Sequence, residues 1–170
     1  MIKDRLIEAN AVKFGDFILS SDKKSNYYVD IKGAITNPFF LSEIATEISK
    51  RVSSKKIAGI ELGVVPLLTA TSLQLGIPFI IIRKDFPKHG MEEQIIGNVS
   101  HGECIDIIED VITTGKSVLK AVELLRRKGA KISKVICVVD REGGGRAELH
   151  NNGLELFELV KVSELIKLKR

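Results

Sequence analysis

The chain has 170 residues, enough for one domain that buries about 70% of its unfolded surface without disulfide staples. It is 44% hydrophobic, with no Trp and only 5% aromatics, which excludes a disordered chain and predicts a core of Ile, Leu and Val. A net charge of +4 fits a nucleic-acid surface or a site for a polyanionic small molecule; with no basic run interleaved with aromatics, the second is favoured.

Residues 1–10 carry Ile2, Leu6, Ile7 and Ala9 at the spacing of a short amphipathic helix. Phe14 to Leu19 and Tyr27 to Ile31 read as strands around the polar turn Ser20 to Asn26, a candidate hairpin. Tyr27 and Tyr28 suit either packing or a flat face for a planar base, and periodicity does not choose between them. Asn37 is placed as N-cap before Pro38, and Leu41, Ile44, Ala45, Ile48 and Val52 form the apolar stripe of the helix that follows. Ile57 to Leu62 is a short buried strand. Val65 to Leu75 is a helix that accepts Pro66 in its first turn and stops at Gly76, and Pro78 to Ile82 is the next strand. This alternation predicts a parallel sheet with right-handed crossovers.

Arg83 to Asn98 interrupts the pattern with a basic segment kinked at Pro87 and freed at Gly90. Long irregular segments in compact α/β domains are usually functional. Arg83, Lys84, Lys88 and His89 form the densest positive cluster directly after a strand, suited to a leaving group that gathers negative charge.

Cys104 to Ser117 is the centre of the chain. An isoleucine-rich strand is expected to end at the adjacent acids Glu109 and Asp110, followed by Val111, Ile112, Thr113, Thr114, Gly115, Lys116 and Ser117 and then a helix. Gly115-Lys116-Ser117 imitates the end of a P-loop, but that pattern needs glycine where Asp110 stands. Two acids suit vicinal ribose hydroxyls, which donate hydrogen bonds, and the turn with its helix start suits a phosphate on the same sugar. A surface turn before a capped helix is the plainer alternative, yet paired acids directly after a buried strand are costly unless used.

Val118, Ala121, Val122 and Leu125 give the stripe of the next helix, which Gly129 ends. Lys131 to Asp140 is a strand running into Arg141-Glu142-Gly143-Gly144-Gly145-Arg146, where three glycines permit close backbone approach. Arg141, one residue past a strand's carboxyl end, is placed for a carboxylate-bearing ligand. Leu154 to Val160 and Val162 to Leu168 are a last strand and helix. Cys104 and Cys137 read as core residues, and His89, His101 and His150 lack metal-ligand spacing. No signal peptide or membrane-length apolar run is found, so a soluble cytoplasmic protein is expected.

Ile107 to Ser117 resembles the phosphoribosyl-diphosphate (PRPP) motif of type I phosphoribosyltransferases: an apolar strand, two acids, two apolar residues, then Thr-Thr-Gly-x-Ser. The likeness extends over nearly the whole chain to the orotate-using branch of that family. Phe14 to Leu19 with Ser25 to Asp30 resembles its amino-terminal hood, Glu61 to Pro66 its diphosphate-binding turn, Arg83 to Gly90 its catalytic loop, and Asp140-Arg141-Glu142 its orotate-carboxylate segment. Four departures stand out: Ser21-Asp22 where Ser-Gly is usual, Ser20 where some members have lysine, Pro87 at a basic loop position with Lys88 one place later, and no lysine from Glu61 to Val64.

The resemblance implies one α/β domain, a mostly parallel central sheet flanked by helices, with a small hood at about residues 1–35 and a core at about 36–170. It implies transfer of the phosphoribosyl group from PRPP to orotate, giving orotidine 5′-monophosphate and diphosphate in UMP synthesis. Glu109 and Asp110 would bind the ribose hydroxyls. Val111 to Ser117 would hold the 5′-phosphate, with Thr113 also near orotate, and Arg141 would pair with the orotate carboxylate. Arg83, Lys84, Lys88 and His89 would bind the diphosphate and, with Asp110, form the catalytic set. Mg²⁺ would arrive with PRPP near Glu109 and Asp110 rather than in a protein cage. Loop 83–98 would reach a neighbouring site, implying a homodimer, with no nucleic-acid or membrane partner. The rivals are a phosphoribosyltransferase for purine or other bases, which would not need Arg141, and a PRPP-sensing regulator, which would lack the basic loop and carry a DNA-binding helix pair.

Overall fold

Short strands of Ile and Val, apolar on both faces, must be covered by helices on both sides, and that requirement sets the architecture. The computed structural model describes residues 2–18, 24–84 and 94–167. Its main sheet has six strands: β3 (Ile57–Ile60), β4 (Phe79–Ile82), β5 (Ile95–Ile96), β6 (Asp106–Ile112), β7 (Lys134–Asp140) and β8 (Glu155–Lys161). They lie in the order β5-β4-β3-β6-β7-β8, and every pairing is parallel except β4 with β5. A separate antiparallel hairpin joins β1 (Val12–Ile18) to β2 (Lys24–Val29).

The helices are α1 (Ile2–Glu8), α2 (Ile31–Ala34), α3 (Pro38–Ser49), α4 (Val65–Leu75), α5 (Lys116–Arg127), α6 (Gly145–Asn151) and α7 (Val162–Lys167). Side chains on the sheet alternate between two cores. Ile108 and Ile136 pack with Phe40, Ile44, Ile48, Leu67 and Leu68 of α3 and α4, whereas Ile107, Val135 and Cys137 pack with Val118, Val122 and Leu125 of α5 and Leu149 of α6. Asn37 caps α3 as expected, its side chain accepting from the N–H groups of Phe39 and Phe40, and Gly76 closes α4 in the left-handed conformation.

Five details depart from the sequence reading. β6 does not stop before the acids: it begins at Asp106 and carries Glu109 and Asp110 within it, because its ladder with β7 continues to Ile112. Cys104 makes only an isolated bridge with Lys131. α2 is a single turn, too short to show periodicity, and α6 starts on glycine, a poor helix former that hides it from propensity. β5 has two residues and forms because Arg83 N–H donates to the Gln94 carbonyl at 2.9 Å, closing the base of the basic segment.

The amino-terminal edge of the sheet is tied by Asp106, which is buried. One oxygen accepts from the Ser53 and Ser54 N–H groups at 2.7 and 3.1 Å, the other from Ser54 Oγ at 2.8 Å. Asp106→Ala leaves those donors without a partner and is expected to lower stability by roughly 2 kcal/mol, a fall in Tm of about 4–8 °C by thermal unfolding.

Candidate active site

After β4 forms on one side of β3, the chain crosses back to place β6 on the other side. The carboxyl edge between β3 and β6 is therefore a topological switch point, where open α/β sheets form a crevice. The turn after β3, Glu61 to Val64, lies over this edge and includes a cis peptide between Glu61 and Leu62. Gly63 leaves room here for two side-chain ends that a larger residue would displace. A Cβ on it would collide with Asp110 Oδ2 and stand 2.5 Å from Lys32 Cε.

The acids are held by their own backbone. Glu109 Oε1 accepts from Asp110 N–H at 3.0 Å, and Asp110 Oδ1 accepts from Val111 N–H at 2.7 Å. Glu109 is buried, and that burial pushes its carboxyl well above the usual carboxylate range, with the neighbouring charge of Asp110 adding to the rise. Lys32 opposes it by favouring the ionised form.

Beyond the acids the chain turns into α5. Its N-cap is Gly115, in the left-handed conformation at φ 75°, and no side chain caps the first turn. The N–H groups of that turn have no intrahelical partner, so they suit an anion. A second turn is pressed against this one. A Cβ on Gly143 would approach Thr113 Cγ2 to 2.8 Å, and one on Gly145 would approach Ile112 Cγ2 to 2.6 Å. The close approach expected of the glycine run is thus made against Thr113.

Arg141 links this region to the β1–β2 hairpin. Its N–H donates to the Ile112 carbonyl at 2.8 Å. Its guanidinium carbon lies 4.9 Å from the centroid of the Tyr27 ring, and Nη2 reaches Ser25 Oγ at 3.4 Å. Its Nε is buried and has no hydrogen-bond partner among the described residues. Tyr28 is turned elsewhere, packing on Phe17 with centroids 5.6 Å apart.

The structure thus gathers Glu109, Asp110, Val111, Ile112, Thr113, Thr114, Gly115, Lys116, Ser117 and Arg141 along one edge of the sheet. Arg83 and Lys84 are exposed at the base of the basic segment; Lys88 and His89 lie outside the described residues. No group of three or more His, Cys, Asp or Glu side chains could cage a metal among the described residues. Two adjacent carboxylates nevertheless fit Mg²⁺, which keeps several waters and binds one or two carboxylates together with substrate phosphates. No helix of the described residues is long and apolar enough to cross a membrane.

The phosphoribosyl transferase domain family matches residues 34–160, beginning just past the β1–β2 hairpin. The orotate phosphoribosyltransferase of Thermoplasma volcanium is 54% identical over 97% of this chain and 99% of its own length. The chain belongs to the orotate phosphoribosyltransferase family. Among solved structures, the orotate phosphoribosyltransferase of Aeropyrum pernix superposes with a TM-score of 0.88 at 26% identity, covering 99% of this chain and 98% of that one. The UMP synthase of Leishmania donovani gives 0.87 at 27%, covering 98% of this chain but 37% of the longer protein.

For an orotate phosphoribosyltransferase, the sequence marked Ser25 and Gly63 only within wider segments, Ser25 to Asp30 and Glu61 to Pro66, and did not mark Lys32, which meets the same edge. Lys32 follows β2 in Asp30-Ile31-Lys32-Gly33, a position that no motif or periodicity marks.

Glu109 also gives the fold a pH signature. Its folded pKa is raised, so the protonated form is the one folding favours; that contribution is complete below the unfolded value of about 4.3 and is lost as pH rises through the higher folded value. In substrate-free, metal-free protein, Glu109→Gln is expected to raise Tm at pH 7–8 and to leave it nearly unchanged at pH 4, measured by thermal unfolding across that range.

Proposed function

We infer that the chain transfers the phosphoribosyl group of PRPP to orotate, yielding orotidine 5′-monophosphate and diphosphate. The observation that carries the choice of orotate is Arg141: a half-buried guanidinium laid on Tyr27, with an unpartnered Nε and a backbone N–H bonded to Ile112, just past the acid pair on β6. A base that bears a carboxylate would satisfy such a group and an uncharged base would not. The fold's likeness to part of a UMP synthase supports placing the reaction in UMP synthesis.

In this reading the acid pair accepts hydrogen bonds from the ribose hydroxyls, and the uncapped start of α5 with Thr113 to Ser117 takes the 5′-phosphate. These contacts fix the sugar at two points, so its anomeric carbon is presented in one orientation to the base held by Arg141 and Tyr27. Thr113 stands between the two halves, since Gly143 packs against it. The bond to diphosphate breaks through an oxocarbenium-like state, and orotate's ring nitrogen takes the position opposite the leaving group. Arg83, Lys84, Lys88 and His89 meet the charge that builds on the diphosphate, and closing of 83–98 excludes water from the site. Glu109 and Asp110 would hold Mg²⁺ together with PRPP, and the ion would supply further charge neutralisation at the diphosphate.

Residues 1–35 act as a hood over the core of residues 36–170. The 83–98 segment serves the neighbouring site of a homodimer, and the enzyme works in the cytoplasm on small molecules. Exposed apolar side chains such as Phe39 and Leu62, 82% and 79% accessible, give a second copy something to cover.

Loss of orotate absorbance in the presence of PRPP and Mg²⁺ tests the reaction directly; turnover of a purine base in place of orotate would overturn the assignment. Arg141→Ala is expected to raise the KM for orotate roughly 10- to 100-fold, as loss of a charged hydrogen-bonded pair does, with the KM for PRPP changed far less. Equal effects on both would remove Arg141 from the base end.

A further inference from the structure

The turn from Glu61 to Val64 has no lysine, yet a cation is brought to it from another part of the chain. That cation is Lys32, on the one-turn helix α2. The helix is pinned at several points. Asp30 Oδ1 accepts from Gly33 N–H at 3.0 Å, Asp30 Oδ2 is paired with Lys13 Nζ at 2.6 Å, and Ile31 and Ala34 are buried on either side of Lys32. The backbone of Lys32 is therefore fixed while its side chain stays exposed and long enough to move.

The direction of that side chain is set by what it meets. Its Cε stands where a side chain on Gly63 would start, and Asp110 Oδ2 crowds the same point from the other side. Lys32 is thus beside the turn and the acid pair at once. Its charge is felt at the buried Glu109, where it works against burial and against Asp110. Lys32 belongs to the core's own edge and does not wait on the 83–98 segment.

We propose that Lys32 binds the diphosphate of PRPP, supplying at the 61–64 turn the fixed positive charge that the turn itself lacks. The inference rests on the PRPP-dependent reading above and adds to it the cation for that end of the substrate. With the site empty, Lys32 offsets the paired carboxylates. With PRPP present, the flexible stem carries the ammonium a short distance to the phosphate oxygens, where three N–H donors face a stronger and more localised charge. The acids are then occupied by the ribose hydroxyls and no longer depend on it.

The test compares ligands that differ only at that end. Titration calorimetry on the full chain would measure PRPP with Mg²⁺, inorganic diphosphate with Mg²⁺, and orotidine 5′-monophosphate, for wild type, Lys32→Ala and Lys32→Arg. Lys32→Ala is expected to weaken PRPP and diphosphate roughly 10- to 100-fold and orotidine 5′-monophosphate less than about 2-fold, with Lys32→Arg keeping most of the wild-type affinity. Because Lys32 is exposed, Tm should stay within about 1–2 °C of wild type. Unchanged PRPP affinity in Lys32→Ala overturns the proposal, as does an equal loss for all three ligands, which marks a structural role. Wild-type protein that binds neither PRPP nor orotidine 5′-monophosphate overturns the orotate reading itself, a result distinct from both.

Discussion

Everything at the carboxyl edge of the sheet follows from placing two adjacent carboxylates in a strand that is buried on both faces. Charge on Glu109 is opposed by desolvation, and the neighbouring charge of Asp110 makes that carboxyl harder still to ionise. The chain has neither replaced them nor paired them with a buried arginine. It gives each acid a backbone N–H and brings Lys32 within electrostatic reach. Those contacts hold the side chains in position while leaving lone pairs over for another partner. The constraint reaches the neighbouring turn as well, since the space beside Asp110 exists only because residue 63 has no side chain.

The two edges of the sheet divide the work. At the amino-terminal edge the buried polar groups are satisfied by the protein itself: Asp106 by Ser53 and Ser54, and Lys56 by Glu103 at 2.9 Å and the Asn98 carbonyl at 2.8 Å. At the carboxyl edge Glu109 is buried with its pKa pushed up, the first turn of α5 lacks a side-chain cap, and Arg141 Nε lacks a partner. Incomplete satisfaction along this edge is what a binding crevice requires, because a fully bonded surface would gain little from a polar ligand.

Much of this was legible in the sequence because it is local. Asn37-Pro38, Pro66 and Gly76 bound their helices through short-range rules, and the run Ile107 to Ser117 carries its chemistry in residue order. The acids could be named but not located: their place inside β6 depends on the β7 ladder, which residue order does not encode. Tyr27 was ambiguous for the same reason. Only the hairpin register, with Tyr27 opposite Phe14, and the approach of Arg141 from more than a hundred residues away decide that its ring lies under a guanidinium while Tyr28 packs on Phe17. Lys32 was invisible because its significance is a distance to Gly63, across β3 and α3.

The positive groups near the site differ in how they are held, and the difference bears on the order of events. Arg141 is fixed by stacking on Tyr27, and Lys32 is delivered by a pinned helix, so both are in place before any ligand arrives. Arg83 and Lys84 stand exposed just past β4, where Arg83 N–H donates to the Gln94 carbonyl. In the proposed reaction the fixed cations meet charges that substrates already carry on entry, the orotate carboxylate and the diphosphate. The basic segment is left to meet the charge that appears only as the bond to diphosphate breaks. A cation held permanently against the leaving group would bind ground state and transition state alike and add little to the rate; one that closes late favours the transition state.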